Sequence, residues 1–270
     1  KTPTLARNRF VGQWQSFANK IPSGINNYAI TRKMFANELG MDPEERIREI
    51  AMLNAKQQGL KSSQAYEEFM NEKNWSSIFK KLAMDPFEII GQGVLESMAQ
   101  FLPSYVSSAA LTVPVGAGIG AVAGGGPGAV TGGVYGLYTA AGMASFTMEY
   151  TGKILDVMSE SGIDITNSEE LAAGFANPEL MSKARSLGVK RGIPIAVLDM
   201  LSAGLAGRLG KPAAELGVQM GLGATGEFLG QVAAGEEINP AAITIEAFAE
   251  IGQAAPAGAV NMAIAQNDIR

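Results

Sequence analysis

Cysteine and histidine are both absent from the 270 residues. Their absence removes disulfides, thiolate metal sites, cysteine nucleophiles and imidazole general bases from consideration. An excess of positive charge is missing too: 21 Lys and Arg face 26 Asp and Glu, a net charge of −5. Phosphate contacts need clustered lysine and arginine, so sequence-specific nucleic-acid binding is not expected. No stretch alternates apolar and polar residues over a useful length, which leaves an all-α reading without competition. The chain opens Lys1-Thr2-Pro3, with neither an initiator methionine nor an apolar signal core, and so reads as a piece of a longer polypeptide. Most informative is where charge is missing: Ser97 to Met148 contains none, although the rest is charged at ordinary density.

What is present divides near residue 85. Residues 1–84 read as a polar arm of short helices. Pro3, Pro22 and Gly24 should interrupt any helix near the start, leaving Trp14, Phe17, Tyr28 and Phe35 to dock the arm onto something larger. Asp42 can cap a helix that starts at Pro43, has Glu44 and Glu45 in its first turn and ends near Gly59. Shorter helices are predicted from Ser63, burying Tyr66, Phe69 and Met70, and around Trp75 to Leu82. Asp85-Pro86-Phe87-Glu88 then starts a helix expected to run to about Phe101.

Residues 85–157 combine that helix with a glycine ladder: Gly116, Gly120, Gly124, Gly128, Gly132 and Gly136. A four-residue step returns to nearly the same helix face, so each side of Gly124-Gly125-Gly126-Pro127-Gly128 carries a groove into which another backbone can settle. The arms Ser104–Ala123 and Ala129–Met148 are each about 30 Å long as helices, near the thickness of a hydrocarbon core. A helical hairpin is predicted. Tyr105 and Tyr150 are expected together at its open end, as aromatic residues at a membrane interface. Pro114 should kink the first arm, and glycine weakens each helix by about 1 kcal/mol relative to alanine. Close backbone packing can offset that weakness in lipid or within a protein assembly.

Residues 158–270 repeat the small-residue theme as a second Gly/Ala-rich bundle. A polar loop over Ser159–Asn167 leads to short helices at Ser168–Ala176 and Glu179–Leu187. Two apolar segments follow, Ile193–Leu209 with Gly204 and Gly207, and Pro212–Ala233 with the pairs Gly217/Gly221 and Gly226/Gly230 as a second packing face. Asp199, Glu215 and Glu227 are costly in hydrocarbon and favour a helix-packed location for this half. A last helix starts at Asn239-Pro240 and meets Pro256.

Little points to catalysis. Leu95-Glu96-Ser97 resembles the Glu-Ser of lytic transglycosylases, but the Gly-Leu-Met-Gln element that follows in that family is missing. The glycine runs lack both a GxGxxG after a strand and a P-loop lysine. No spaced acidic loop offers a metal site. The segment reads as non-enzymatic, with no cofactor.

The succession Phe101-Leu102-Pro103-Ser104-Tyr105, Gly116-Ala117-Gly118-Ile119-Gly120-Ala121-Val122-Ala123-Gly124 and Gly142-Met143-Ala144-Ser145-Phe146-Thr147-Met148-Glu149-Tyr150 resembles the Gly/Ala-rich helical region of very large bacteriophage internal virion polypeptides. The run from Arg191-Gly192-Ile193-Pro194 through Gly226-Glu227-Phe228-Leu229-Gly230-Gln231 to Gly235-Glu236-Glu237-Ile238-Asn239-Pro240 is similar to the same kind of protein. The resemblance covers about residues 85–260 and is largely compositional. It implies a structural segment of a DNA-ejection protein, located in the virion interior and then in the host cell envelope, where it helps form or anchor a conduit. Implied partners are other ejection, core or portal-tail proteins in a homo- or hetero-oligomer, and the host inner membrane. A pore-forming toxin or effector, or a constitutive helical membrane protein, would use the same hairpin.

Overall fold

The structure, a computed structural model, describes residues 3–38, 43–60, 62–205 and 212–250. The expected features at Asp42, Gly207, Arg208 and Pro256 lie outside these residues, as do the side chains of Trp14, Phe17 and Glu215. The fold is all-α, with no strand among the described residues. Its helices are α1 (Pro3–Glu38), α2 (Pro43–Gln58), α3 (Gln64–Met70), α4 (Trp75–Met84), α5 (Pro86–Glu160), α6 (Ser168–Ala176), α7 (Pro178–Leu205), α8 (Pro212–Ala234) and a further helical stretch at 240–250, here α9.

Local chemistry explains most helix starts. The Ser63 side chain accepts from the Tyr66 amide, and the Asn74 and Asn167 side chains each accept from two first-turn amides that the helix cannot satisfy itself. Asn177 and Asn239 do the same ahead of Pro178 and Pro240.

Pro22 and Gly24 do not interrupt α1 as expected. α1 runs through Pro22, α5 through Pro103 and Pro114, and α7 through Pro194. Tertiary contacts overcome the local penalty in α1. Lys20, only 3% exposed, donates to Glu96 at 2.6 Å, and Ser23 donates to the other oxygen of the same carboxylate. Asn26 donates to the Leu53 carbonyl at 2.8 Å. Between these bonds, Gly24 lets the α1 backbone sit against Ala99 and the Glu96 carbonyl, where an added Cβ would lie 2.5 Å from both. A Gly24→Ala variant should therefore lose about 1–3 kcal/mol by overpacking, read as a lower thermal midpoint. An unchanged or higher midpoint would show that helix propensity dominates at this crossing.

The 1–84 segment packs onto the rest of the described chain. One hydrophobic cluster joins Ile30 and Met34 of α1 and Ile47 and Ile50 of α2 to Ile154 and Met158 of α5, Leu171 of α6 and Met181 of α7. A second joins Phe69 of α3, Ile78 of α4 and Ile89 of α5 to Ala241 and Ile245 of α9. All three sequence segments thus bury apolar surface against one another, the main favourable term in folding.

α5 is two limbs meeting at a reversal. Gly124 (φ −147°, ψ 17°) and Gly125 (φ 63°, ψ −145°) leave helical geometry. Gly125 lies in the left-handed region that glycine adopts without a Cβ clash. The limbs then run antiparallel: Gly120 meets Gly128, Gly116 meets Gly132, and Gly136 meets Thr112 and Val113. The Thr112 hydroxyl donates to the Gly136 carbonyl across the gap at 2.6 Å.

The returning limb also packs antiparallel to α7 through small residues. Gly188 sits on Tyr150, Gly192 on Phe146, and Gly142 on the Ala196 carbonyl, each step four residues along both helices. Phe146 and Tyr150 stack with centroids 5.5 Å apart, so their rings lie over the glycine notches of α7.

Candidate functional site

Two features stand out: an apolar hairpin tip without a cover, and a charged interior behind it.

The tip spans roughly residues 110–135. Leu111, Val115, Ile119, Val130 and Tyr135 are exposed, and Val122 is 92% exposed. Among the described residues, the Glu88–Glu160 region holds the one helix long and apolar enough to cross a membrane, and none of its apolar window is buried. A soluble core helix of such length and hydropathy keeps its apolar residues mostly inside the fold; here none of those in the window is fully buried.

The inner seam of the hairpin is built from backbone. A Cβ at Gly116, Gly120, Gly128 or Gly132 would overlap the carbonyl oxygen of the opposite glycine. The Cα–H groups therefore face carbonyls directly, a weak polar contact that two helices can make only when side chains are absent. Gly136 is similarly closed against Thr112, whereas Gly124 lies at the bend, where an added Cβ would meet nothing within 4 Å.

The other expected positions divide. Gly226 packs on Ile195 and Leu198, and Gly230 on Ile195 and the Arg191 carbonyl, so the α7–α8 crossing uses these two glycines. Gly217 and Gly221 meet no described atom within 4 Å and do not extend that face. The sequence reading missed Gly142, Gly188 and Gly192, although the four-residue spacing of the last two carried the signal.

Tyr105 and Tyr150 do not form a shared aromatic belt. In the 112/136 register Tyr105 lies opposite the region of residue 143, and it is buried with Phe101, Ala140 and Ala144. Its ring stacks on Phe101 at 5.7 Å. Tyr150 lies two turns further down the stem, about 10 Å away along the axis, and donates to Glu38 at 3.0 Å.

Below the tip the interior is polar. Arg191 donates through Nε to Glu149 at 2.6 Å, through Nη1 to Glu236 at 2.6 Å and through Nη2 to Glu227 at 2.7 Å. Burial works against its charge, but the three carboxylates outweigh it and hold the guanidinium protonated. Gln231 donates to Glu227 at 2.7 Å, and Lys153 lies 3.0 Å from Glu236. The hub ties α5, α7, α8 and the turn before α9 together. Asp199 and Glu227, whose charge argued against lipid, both turn inward, while Ile193, Val197, Leu201, Phe228, Leu229 and Val232 on the same helices are exposed.

Behind the hub, Ser97, Gln100, Glu149, Arg191, Asp199 and Glu246 line part of a cavity of ≈ 270 Å³. Glu96 does not line it. Lys20 and Ser23 occupy its carboxylate, which gives it a role in docking α1. Among the described residues, no group of three or more acidic side chains is arranged to hold a metal ion.

No protein-family model, curated protein or solved structure matches the chain.

Proposed function

We propose that this chain is a non-catalytic structural segment that enters a lipid bilayer through the tip of the α5 hairpin. The observation that carries the reading is the pairing of an outward-facing apolar tip with a backbone-to-backbone seam. Exposed apolar surface of this extent is disfavoured in water, and a seam made of Cα–H and carbonyl groups needs no hydrophobic exclusion to stay closed in lipid.

Dimensions set how far the tip reaches. The uncovered part of each limb is about 10–14 residues, or about 15–20 Å, against a hydrocarbon core of about 30 Å. As folded, the hairpin enters half or more of one bilayer but does not cross it. A full span needs the stem residues 137–148 to leave α7, so insertion and a partial opening of the body go together.

This behaviour suits a protein that is packed in one setting and membrane-bound in another, as in the internal virion proteins that the sequence resembles. On that reading the chain contributes to a conduit or anchor in the host envelope, with other ejection or core proteins as partners and the exposed faces of α7 and α8 as their contact surface.

Liposome flotation tests the membrane step. The chain should float with vesicles containing anionic lipid, and Ile119→Asp/Val122→Asp should reduce the floated fraction at least about tenfold, since a central acid costs about 2.5–3.5 kcal/mol to insert. Both positions are exposed, so the melting temperature should not change. Flotation unaffected by the two aspartates would overturn the proposal. Dye release by the chain alone, at low protein-to-lipid ratio, would identify an autonomous pore former instead of a segment that acts with partners.

A further inference from the structure

We infer that Asp199 and Glu250 share one buried proton, and that this proton holds α9 and α7 against the stem of the α5 hairpin. The inference concerns docking within the protein, so it does not rest on the membrane reading and is tested without lipid.

The geometry comes from three elements. The returning limb of α5 supplies Ser145; α7 supplies Asp199 and, one turn on, Ser202; α9 supplies Glu250. All four are buried, Asp199 at 5% and Glu250 at 2% exposure. The Ser202 hydroxyl donates to Glu250 Oε2 at 2.6 Å, and Ser145 hydrogen-bonds Asp199. Each hydroxyl has one proton to give, and a carboxylate has none. Glu250 Oε1 is therefore left buried without a donor, while the neighbouring Asp199 carboxyl lies within hydrogen-bonding range of Glu250. Two carboxylates cannot bond to each other; a carboxylic acid and a carboxylate can. A proton on Asp199 satisfies the orphaned oxygen and removes one of two buried like charges.

Among the described residues, the surroundings give no alternative compensation. Glu149 of α5 acts on Asp199 and Glu246 of α9 acts on Glu250, while Glu227 of α8 acts on Glu246; all are acidic. Arg191, the cation on α7, is already engaged by Glu149, Glu227 and Glu236. Gly223 of α8 leaves room for the Glu250 side chain, which an added Cβ would overlap. Asp199 lines the ≈ 270 Å³ cavity, which gives the proton a polar route out.

Titration follows the same direction. Burial first, and then Glu250, pushes Asp199 well above the usual carboxylate range; burial pushes Glu250 up to about 7. Glu246 is raised as well, first by burial and then by Asp199. An acid whose pKa is raised on folding favours the folded state below its unfolded pKa and loses that contribution as pH rises through the folded value. Stability from the pair therefore falls as pH rises: Glu250 gives up its proton at about pH 7, which leaves the single shared proton on Asp199, opposite to ordinary acid denaturation. Ser145 lies within the stem residues 137–148 that must leave α7 for a full span, so proton loss loosens the body at that point.

Hydrogen exchange of the α9 amides in the whole chain, corrected for intrinsic rates, tests the clamp. Above about pH 7 the opening constant should rise about tenfold per pH unit for the shared proton. Asp199→Asn keeps a donor at all pH values and should lower that slope by one proton. Glu250→Gln should do the same if the first variant folds poorly. A flat wild-type profile, or an unchanged slope in a folded variant, overturns the inference. Infrared spectra give a separate readout: wild type near neutral pH should show a protonated carboxyl band that weakens in Asp199→Asn, and the absence of any such band in wild type overturns it too.

Discussion

Replacing Arg191 with methionine should cost about 3–5 kcal/mol of unfolding free energy at neutral pH. Methionine fills much of the same volume but supplies no proton. Glu149, Glu227 and Glu236 would each lose a charge-assisted hydrogen bond of 2.6–2.7 Å, and Glu227 is itself buried. Gln231 would still bond Glu227 and Lys153 would still face Glu236, but the summed negative charge would have no centre. The loss should depend on pH with a definite sign. Burial already raises Glu149, and without Arg191 it loses the cation that opposes that rise, so the variant regains stability as Glu149 protonates and loses it as pH rises. Chemical denaturation should show the gap to wild type narrowing on acidification. Arg191→Lys should recover only part of it, because one ammonium cannot present three fixed N–H directions to three carboxylates. A loss below about 1 kcal/mol, or one independent of pH, would mean that the hub's desolvation already cancels its pairing.

The second large effect is expected at Gly120. A side chain there enters the carbonyl of Gly128, and the obstacle is backbone, with no rotamer to move aside. Gly120→Leu should separate the limbs and cost at least the upper part of the about 1–3 kcal/mol typical of overpacking, seen as faster exchange of the hairpin amides. Gly132→Leu should act alike, since its Cβ overlaps the Gly116 carbonyl. The informative comparison is Gly118, two residues away, where an added Cβ meets nothing within 4 Å. Gly118→Ala should stabilise the limb by about 0.5–1 kcal/mol, because only the backbone entropy of glycine is removed. Equal exchange rates in Gly118→Leu and Gly120→Leu would show that the glycine seam does not hold the limbs together.

The contrast between these glycines shows how far sequence spacing carries. The four-residue ladder identified Gly116, Gly120, Gly128, Gly132 and Gly136 as one face, and these are the glycines that meet the opposite limb. The same spacing at Gly217 and Gly221 has no described partner, because periodicity defines a face without defining what lies against it. Helix starts were legible wherever the signal was local, as at Ser63, Asn74 and Asn167. Pro22 was misleading for the opposite reason: its local penalty is outweighed by contacts with residues more than 70 positions away.

The polar interior was the least legible part. Viewed as single charges in apolar runs, Asp199 and Glu227 argued for a helix-packed location without showing what they would meet there. Apart from Gln231, four residues beyond Glu227 on the same helix, their partners come from other elements, where spacing and composition could not pair them. Arg191 carried a signal that went unused: it follows Lys190 and opens an apolar run whose next charge is Asp199.

By itself, the sequence determined that the fold is helical, that imidazole and thiol chemistry are absent, and that a glycine-faced reversal lies within an uncharged stretch. Those properties depend on residue type and on neighbours within a few positions. The tertiary structure decided the 112/136 register, the burial of Tyr105, the inward turn of the acids and the exposure of only the outer part of the hairpin. Each of these depends on which helix faces meet across long sequence separations, where packing and desolvation outweigh local preference.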